Sequence, residues 1–157
     1  MTESTTTLQA ICNAIETTLA SAITYTQSYN ELKEGMPDQP TLQIYPNSGS
    51  TIPPQNSTDR TTFRAVVRQT QLEIYADLYA TARSEIGEDM ALLLPLIEAI
   101  IGEIEKQDTK PYFGLLDAQN EPAIKAFSWS WQRVVFQYND PMQLYIGARF
   151  IFLLRIF

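Results

Sequence analysis

The last fourteen residues of the chain alternate strictly between apolar and mixed positions. Every even position is apolar: Leu144, Ile146, Ala148, Phe150, Phe152, Leu154 and Ile156. The odd positions mix apolar and polar residues, among them Arg149, Ile151, Leu153 and Arg155. Because successive side chains of a strand point to opposite faces, this period of two predicts a strand with one face fully buried and the other partly buried.

Such a strand is longer than most. At about 3.3 Å per residue, residues 144–157 span about 45 Å, whereas a typical strand has about five or six residues. No polar tail follows Phe157 in the sequence. We therefore expect a helix or a neighbouring subunit to cover this strand, which is the first indication of a protein that assembles.

The composition excludes several classes of function. The 157 residues suffice for one domain with a substantial core. Histidine is absent, which removes the commonest metal ligand and general base. The single cysteine, Cys12, excludes an intrachain disulfide and a cysteine-rich zinc site. The net charge of −7 argues against non-specific binding to nucleic acid or to an anionic membrane.

No segment is typical of secretion or of membrane insertion. Residues 1–7 are polar and lack a basic stretch. The longest uncharged apolar run, residues 90–97, is far shorter than the roughly 20 residues of a spanning helix. We expect a soluble protein made in a reducing compartment, with no membrane partner.

Helical and strand periodicities divide the chain into seven segments. They are a helix at 5–24, a strand at 41–45, a loop at 46–60, a strand at 72–80, a helix at 86–107, a strand at 123–138 and the strand at 144–157. Residues 63–68 either extend the second strand through a bulge, which we favour, or form a strand of their own. The second helix either starts near Leu94 or bends at Pro95. Residues 139–141 form the turn of a closing hairpin.

This order predicts one α+β domain over residues 1–157. We expect a mostly antiparallel sheet of four to five strands, with two helices packed on one face. The loop at 46–60 is long for a compact domain, and such loops are usually functional or mobile. We expect it to be mobile, and its one large apolar residue, Ile52, is a candidate contact residue.

Candidate catalytic groups are scarce. Templates that need histidine are impossible, and no glycine-rich phosphate loop is present. Glu85, Glu88 and Asp89 cluster at the start of the second helix, where acids complement the helix dipole more often than they bind a cation. Cys12 lies beside the apolar stripe of the first helix and is expected to be a small buried thiol. We predict no catalytic residue, no cofactor and no metal ion.

Two sets of side chains are candidates for contact with a partner. Trp129 and Trp131 alternate on one strand face, a pattern that fits the core, a subunit interface or a ligand site. Tyr75 and Tyr79 lie on the outward face of the strand at 72–80, together with two acidic residues. These acids and the arginines of the last strand either pair within one subunit or meet across subunits. The predicted interface residues are Ile52, Tyr75, Tyr79, Trp129, Trp131, Arg149, Ile151, Leu153 and Arg155.

The order of elements resembles the tail terminator, or tail completion, proteins of long-tailed bacteriophages. The likeness covers nearly the whole chain. It rests on a first helix at residues 8–23, a proline-flanked strand at 42–45 before a long loop, a strand at 72–78 leading into a long helix, and a closing hairpin with its turn within 138–147. The stretch at 60–70 and Pro95 depart from the family's pattern.

The resemblance implies a mechanical function and no enzymatic one. Tail terminator proteins form a six-fold ring that caps the growing tail tube, stops its polymerisation and meets the head-side connector, while DNA passes through. For this chain the resemblance implies a hexameric ring of identical subunits, with the tail tube protein and the connector or neck protein as partners. Genomic DNA would pass without sequence-specific binding, consistent with an acidic lumen. The place of such a ring is the head-proximal end of the virion tail, after assembly in the host cytoplasm.

Three alternatives remain open. The chain fits another neck or head-closure ring protein of the same connector. It also fits a binding module that takes a small ligand on the Trp129 and Trp131 face. An enzyme relying on carboxylates such as Glu88 and Asp89 is the third. In the tail terminator interpretation, the loop at 46–60 is the segment that would become ordered on contact with a tube subunit.

Overall fold

The computed structural model describes residues 8–23, 25–27, 40–52, 69–82, 86–117, 119–139 and 142–156. The elements, in chain order, are α1 (Leu8–Leu19), β1 (Tyr25–Gln27), β2 (Thr41–Ile52), β3 (Gln69–Ala82), α2 (Ile86–Glu105), β4 (Ile124–Asn139) and β5 (Met142–Ile156), with a 3-10 turn at Tyr112–Gly114. The described strands form one sheet in the order β1-β2-β3-β5-β4. β1 is parallel to β2, and the other pairs are antiparallel. The predicted α+β fold is therefore confirmed.

β5 lies inside the sheet, between β3 and β4, as its apolar pattern requires. Phe152, for example, faces Ile74 of β3 and Trp129 of β4. Phe150, Phe152 and Leu154 are fully buried. Because residues opposite one another in neighbouring strands share a sheet face, the even residues of β5 define the core side of the sheet. The predicted hairpin of β4 and β5 is also confirmed.

Both helices cover this even face. α1 buries Ile11, Cys12, Ile15 and Leu19. α2 buries Leu93, Ile97, Ile100 and Ile104. These side chains join the even residues of β5 in one hydrophobic cluster. Each buried leucine or isoleucine contributes about 2 kcal/mol, so the helical stripes and the even face of β5 stabilise each other.

Pro95 lies in the interior of α2. α2 runs from Ile86 to Glu105 with Pro95 inside it, so the alternative in which the helix starts near Leu94 is wrong. A proline in a helix interior removes one backbone hydrogen bond. Leu93 and Ile97 are buried on either side of it. Their packing on the sheet offsets that loss and keeps both halves of the helix in place.

The predicted loop at 46–60 begins too early. β2 continues to Ile52, where it pairs with Gln69 of β3, and a bulge lies between Pro46 and Ser48. A proline is tolerated at a bulge, where its missing N–H breaks no ladder bond, and the long β3 offers backbone partners to the residues beyond it. Ile52 is therefore the last residue of a strand and not part of a loop. Its side chain and residues 53–60 and 63–68 lie outside the described part of the chain.

Candidate assembly surfaces

The odd residues of β5 lie on the face of the sheet opposite the helices, which we call the helix-free face. On this face Arg149 lies between Asp77 and Gln132, Ile151 between Tyr75 and Ser130, Leu153 between Glu73 and Ser128, and Arg155 between Gln71 and Ala126. Asp77 of β3 and Arg149 of β5 are thus neighbours within one subunit. For Arg149, this decides between the two pairing alternatives left open by the sequence.

Arg149 and Asp77 form a buried ion pair at the centre of the helix-free face. Arg149 Nε donates to Asp77 Oδ1 at 2.8 Å, and Arg149 Nη2 donates to Asp77 Oδ2 at 3.1 Å. The Tyr45 hydroxyl also donates to Asp77 Oδ2. The Arg149 guanidinium carbon lies 4.4 Å from the centroid of the Tyr75 ring. The side chain of Asp77 is 2% exposed and that of Arg149 is 27% exposed. The two charges are therefore paired with each other within one subunit.

The pKa values around this pair follow from the same contacts. Burial, followed by the hydrogen bond to Asp77, raises the pKa of Tyr45. The hydrogen bond to Asp77 also raises the pKa of Arg149. A hydrogen bond with Glu73 raises the pKa of Tyr75. Near neutral pH the Tyr45 hydroxyl and the Arg149 guanidinium therefore keep their protons, and both donate to Asp77, which links β2, β3 and β5.

Gln43 lies in the same cross-strand row as Asp77 and Arg149. It is buried, and its Nε2 atom has no hydrogen-bond partner. A buried donor left unpaired costs about 1–3 kcal/mol. In this row the carboxylate oxygens of Asp77 are therefore hydrogen-bonded, whereas the Nε2 atom of Gln43 is not.

Arg155 differs from Arg149 although both lie on the same face of one strand. Its cross-strand neighbours, Gln71 and Ala126, are uncharged, and no ion pair involves Arg155 in the described residues. Leu153 beside it is 36% exposed. A shallow depression of about 330 Å³ opens here, lined by Gln71, Ala126, Phe127, Ser128, Leu153, Leu154 and Arg155. Within the described residues, this end of the helix-free face therefore combines a cation that has no ion pair with exposed apolar surface.

Tyr79, one of the predicted interface residues, is buried within its own subunit. It does lie on the helix-free face, but its ring centroid is 4.3 Å from that of Phe136 and 6.3 Å from that of Tyr145. Gly147 faces Tyr79 across the strands. A Cβ at Gly147 would lie 1.9 Å from the carbonyl oxygen of Leu78. The aromatic cluster and this close backbone approach bury Tyr79 in its own subunit.

Trp129 and Trp131 lie on the core side of β4, not on the helix-free face, because they pair with the even residues Phe152 and Phe150. Trp129 is half-buried and packs against the core cluster. Trp131 is exposed, and so is Val135, four residues further along the strand. The two predicted interface sets are therefore on opposite faces of the sheet. The structure brings Trp131, but not Trp129, to the surface as a large exposed side chain.

The outer side of α2 carries exposed apolar residues that the sequence analysis missed. Leu92 is 56% exposed and Leu94 is 44% exposed. Glu98 is exposed as well, and no ion pair involves it among the described residues. Both leucines lie off the buried stripe of the helix. That position is the sequence feature from which their exposure could have been predicted.

The residues singled out for chemistry do not form a reactive site in the described part of the chain. Asp89 is buried in the first turn of α2. The side chain of Glu88 and the whole of Glu85 lie outside the described part of the chain. Burial raises the pKa of the Cys12 thiol to about 11. Among the described residues, no three metal-ligating side chains come together and no helix has the length and hydrophobicity needed to cross a membrane.

Comparison with known proteins adds no relative to this picture. No protein-family model matches the chain, and a search of curated proteins gives no match.

Proposed function

We propose that this protein is a structural subunit of a bacteriophage tail. It forms a ring that caps the tail tube, ends tube polymerisation and joins the tail to the head-side connector, while DNA passes through. The resemblance of the sequence to tail terminator proteins suggests this role. The α+β fold with its closing hairpin is consistent with it.

The observation that carries the proposal is the long free edge of the sheet at β4. β4 has 16 residues and, among the described strands, pairs only with β5. Soluble monomers usually protect a sheet edge with a short strand, a proline or charges. β1, at the other edge, has only 3 residues, whereas β4 has no proline and no charge over residues 127–132. Trp131 and Val135 are exposed beside this edge, which suits contact with another subunit.

The net charge of −7 is compatible with a ring around DNA. Proteins that hold DNA do so by neutralising phosphates with lysine and arginine. An acidic ring repels phosphates, so DNA moves through it without being held. The binding module for a small ligand is less well supported, because Trp129 packs on its own core and leaves only Trp131 exposed on that face.

A second ring protein of the connector, at the neck or at head closure, is the other candidate. The free edge of β4 supports any ring of identical subunits. The two candidates differ in the surface that the ring meets, the tail tube or the connector.

Electron microscopy of the protein mixed with purified tail tube subunits tests the proposal. We expect rings with a central hole at one end of tubes whose growth has stopped. Trp131→Lys places a charge beside the β4 edge and should prevent ring formation. Gln119→Lys, in an exposed turn outside β4, adds the same charge and should leave the rings intact.

Three outcomes would count against the proposal. Rings that bind connector rings but not tube subunits would favour the neck protein. A chain that binds neither, at concentrations where tube subunits polymerise, is not a tail terminator. Rings that persist with Trp131→Lys would show that the β4 edge is not the contact.

A further inference from the structure

Arg155, Leu153 and Ile151 form a continuous group on the helix-free face, which we call the arginine patch. Arg155 has no charged partner in the described residues, in contrast to Arg149, which is held by Asp77. Leu153 is exposed and Ile151 is half-buried. A free guanidinium beside apolar side chains matches a partner that offers a carboxylate next to apolar residues.

The outer side of α2 has this chemistry. Leu94 and Glu98 are four residues apart, which places them on the same side of the helix. Leu94 and Glu98 are both exposed, and we call them the α2 outer surface. Glu98 has no ion pair in the described residues, whereas Glu103 of the same helix is paired with Lys106 at 3.0 Å. The α2 outer surface thus offers an exposed leucine beside a carboxylate that has no ion pair in the described residues.

We propose that the arginine patch of one copy of this chain docks on the α2 outer surface of a second copy. The Arg155 guanidinium bonds the Glu98 carboxylate of the next copy. Leu153 packs against Leu94 beside that carboxylate. This deepens the proposed ring function and rests on it, because it adds a second pair of joining surfaces to the β4 edge.

The placement of the two surfaces sets the symmetry of the contact. α2 packs on the core side of the sheet, and the arginine patch lies on the opposite face. A contact between two different surfaces of identical chains is head-to-tail, and it generates a ring when the rotation between subunits closes. Contacts of this kind continue from copy to copy, as a ring of more than two subunits requires.

A second copy fits the arginine patch better than DNA does. One arginine on a chain of net charge −7 is a poor phosphate-binding surface. The exposed Leu153 beside it has no partner on a phosphate backbone but has one on α2. Binding of Arg155 to DNA is therefore an alternative outcome of the test.

A charge swap tests the contact. Arg155→Glu alone and Glu98→Arg alone should each weaken self-association by about tenfold or more, as measured by sedimentation and mass photometry. The double variant restores an ion pair of reversed polarity and should return association to within about threefold of the original protein. Lys110→Glu and Glu121→Arg make the same charge changes at other exposed sites and should have little effect.

Cysteine cross-linking covers the case in which subunits associate only briefly. Leu153→Cys combined with Leu94→Cys should give a ladder of disulfide-linked multimers under oxidation, while each single variant should give none beyond dimers. Cys12 is buried and does not interfere.

The inference is overturned if the swapped pair fails to restore association, or if the double cysteine variant gives no ladder. Loss of binding to a DNA duplex in Arg155→Glu, with self-association unchanged, would assign the residue to DNA instead. Failure of the original protein to bind tube subunits, with the swap behaving as expected, would refute the tail function and leave the contact standing.

Discussion

Arg149→Met tests whether the ion pair on the helix-free face is a structural element. The substitution keeps an unbranched side chain of similar reach and removes the guanidinium. Asp77 then loses the two hydrogen bonds from Arg149, at 2.8 and 3.1 Å, and retains the one from Tyr45. Its negative charge stays buried without a cation next to it.

The magnitude follows from how far each partner can reach water. The Asp77 side chain is 2% exposed and that of Arg149 is 27% exposed. Removing the cation strands a buried charge, which costs about 3–5 kcal/mol. Asp77→Asn instead leaves Arg149 to be solvated at its exposed end, so we expect a loss of about 1–3 kcal/mol. The order of the two variants is the sharper expectation, because both start from the same pair.

Urea unfolding followed by tryptophan fluorescence and circular dichroism measures both losses. Dilute protein keeps subunit association out of the free energy of unfolding. Arg155→Met is the matched control, with the same substitution on the same face of β5 at an exposed, unpaired position. A loss below about 1 kcal/mol for Arg149→Met, or a larger loss for Asp77→Asn, would refute the reasoning.

Four further variants test other parts of the structure. Gly147→Ala should lower the free energy of unfolding in urea by about 3 kcal/mol, because its Cβ would meet the Leu78 carbonyl oxygen at 1.9 Å. Gly102→Ala, with open space around it, should raise the free energy of unfolding by about 0.5–1 kcal/mol. Burial raises the pKa of Tyr45 above its ordinary value of 10.0, so the stability it contributes is complete below about pH 10 and lost as the pH rises through its folded-state pKa. Tyr45→Phe should therefore reduce the alkaline loss of stability, and an unchanged pH profile would contradict this. Gln43→Met removes an unpaired buried donor and should raise the free energy of unfolding by about 1 kcal/mol; a loss above about 1 kcal/mol would show that the amide has a partner.

The period of two in β5 predicted most of the fold. It separated the core face from the second face, because burial on one side of a sheet selects every other residue. The hairpin with β4 was predicted from the turn at residues 139–141, and the two covering helices from their own periodicity. Pattern was sufficient here because β5 is flanked by strands on both sides, so its even residues meet apolar side chains wherever they pair.

Other features depend on contacts that no local pattern contains. β2 passes through proline and polar residues to Ile52 because β3 pairs with it, and a bulge after Pro46 keeps the register. Tyr79 has the alternation of an outward residue and is buried by Phe136 and Tyr145 from other strands. The exposed leucines of α2 were not predicted, because the stripe of a helix does not say which off-stripe apolar residues stay uncovered.

Arg149 and Arg155 show why register decides function on this face. They have the same parity in the same strand, so the sequence pattern treats them alike. Arg149 meets an aspartate 72 residues away in the chain, and Arg155 meets glutamine and alanine. Stability and assembly should therefore separate between them. Arg155→Glu should leave the unfolding free energy of dilute protein within about 0.5 kcal/mol and abolish rings, whereas Arg149→Met should unfold far more easily. Equal losses of stability in both variants would mean that Arg155 also belongs to the folded core of its own subunit.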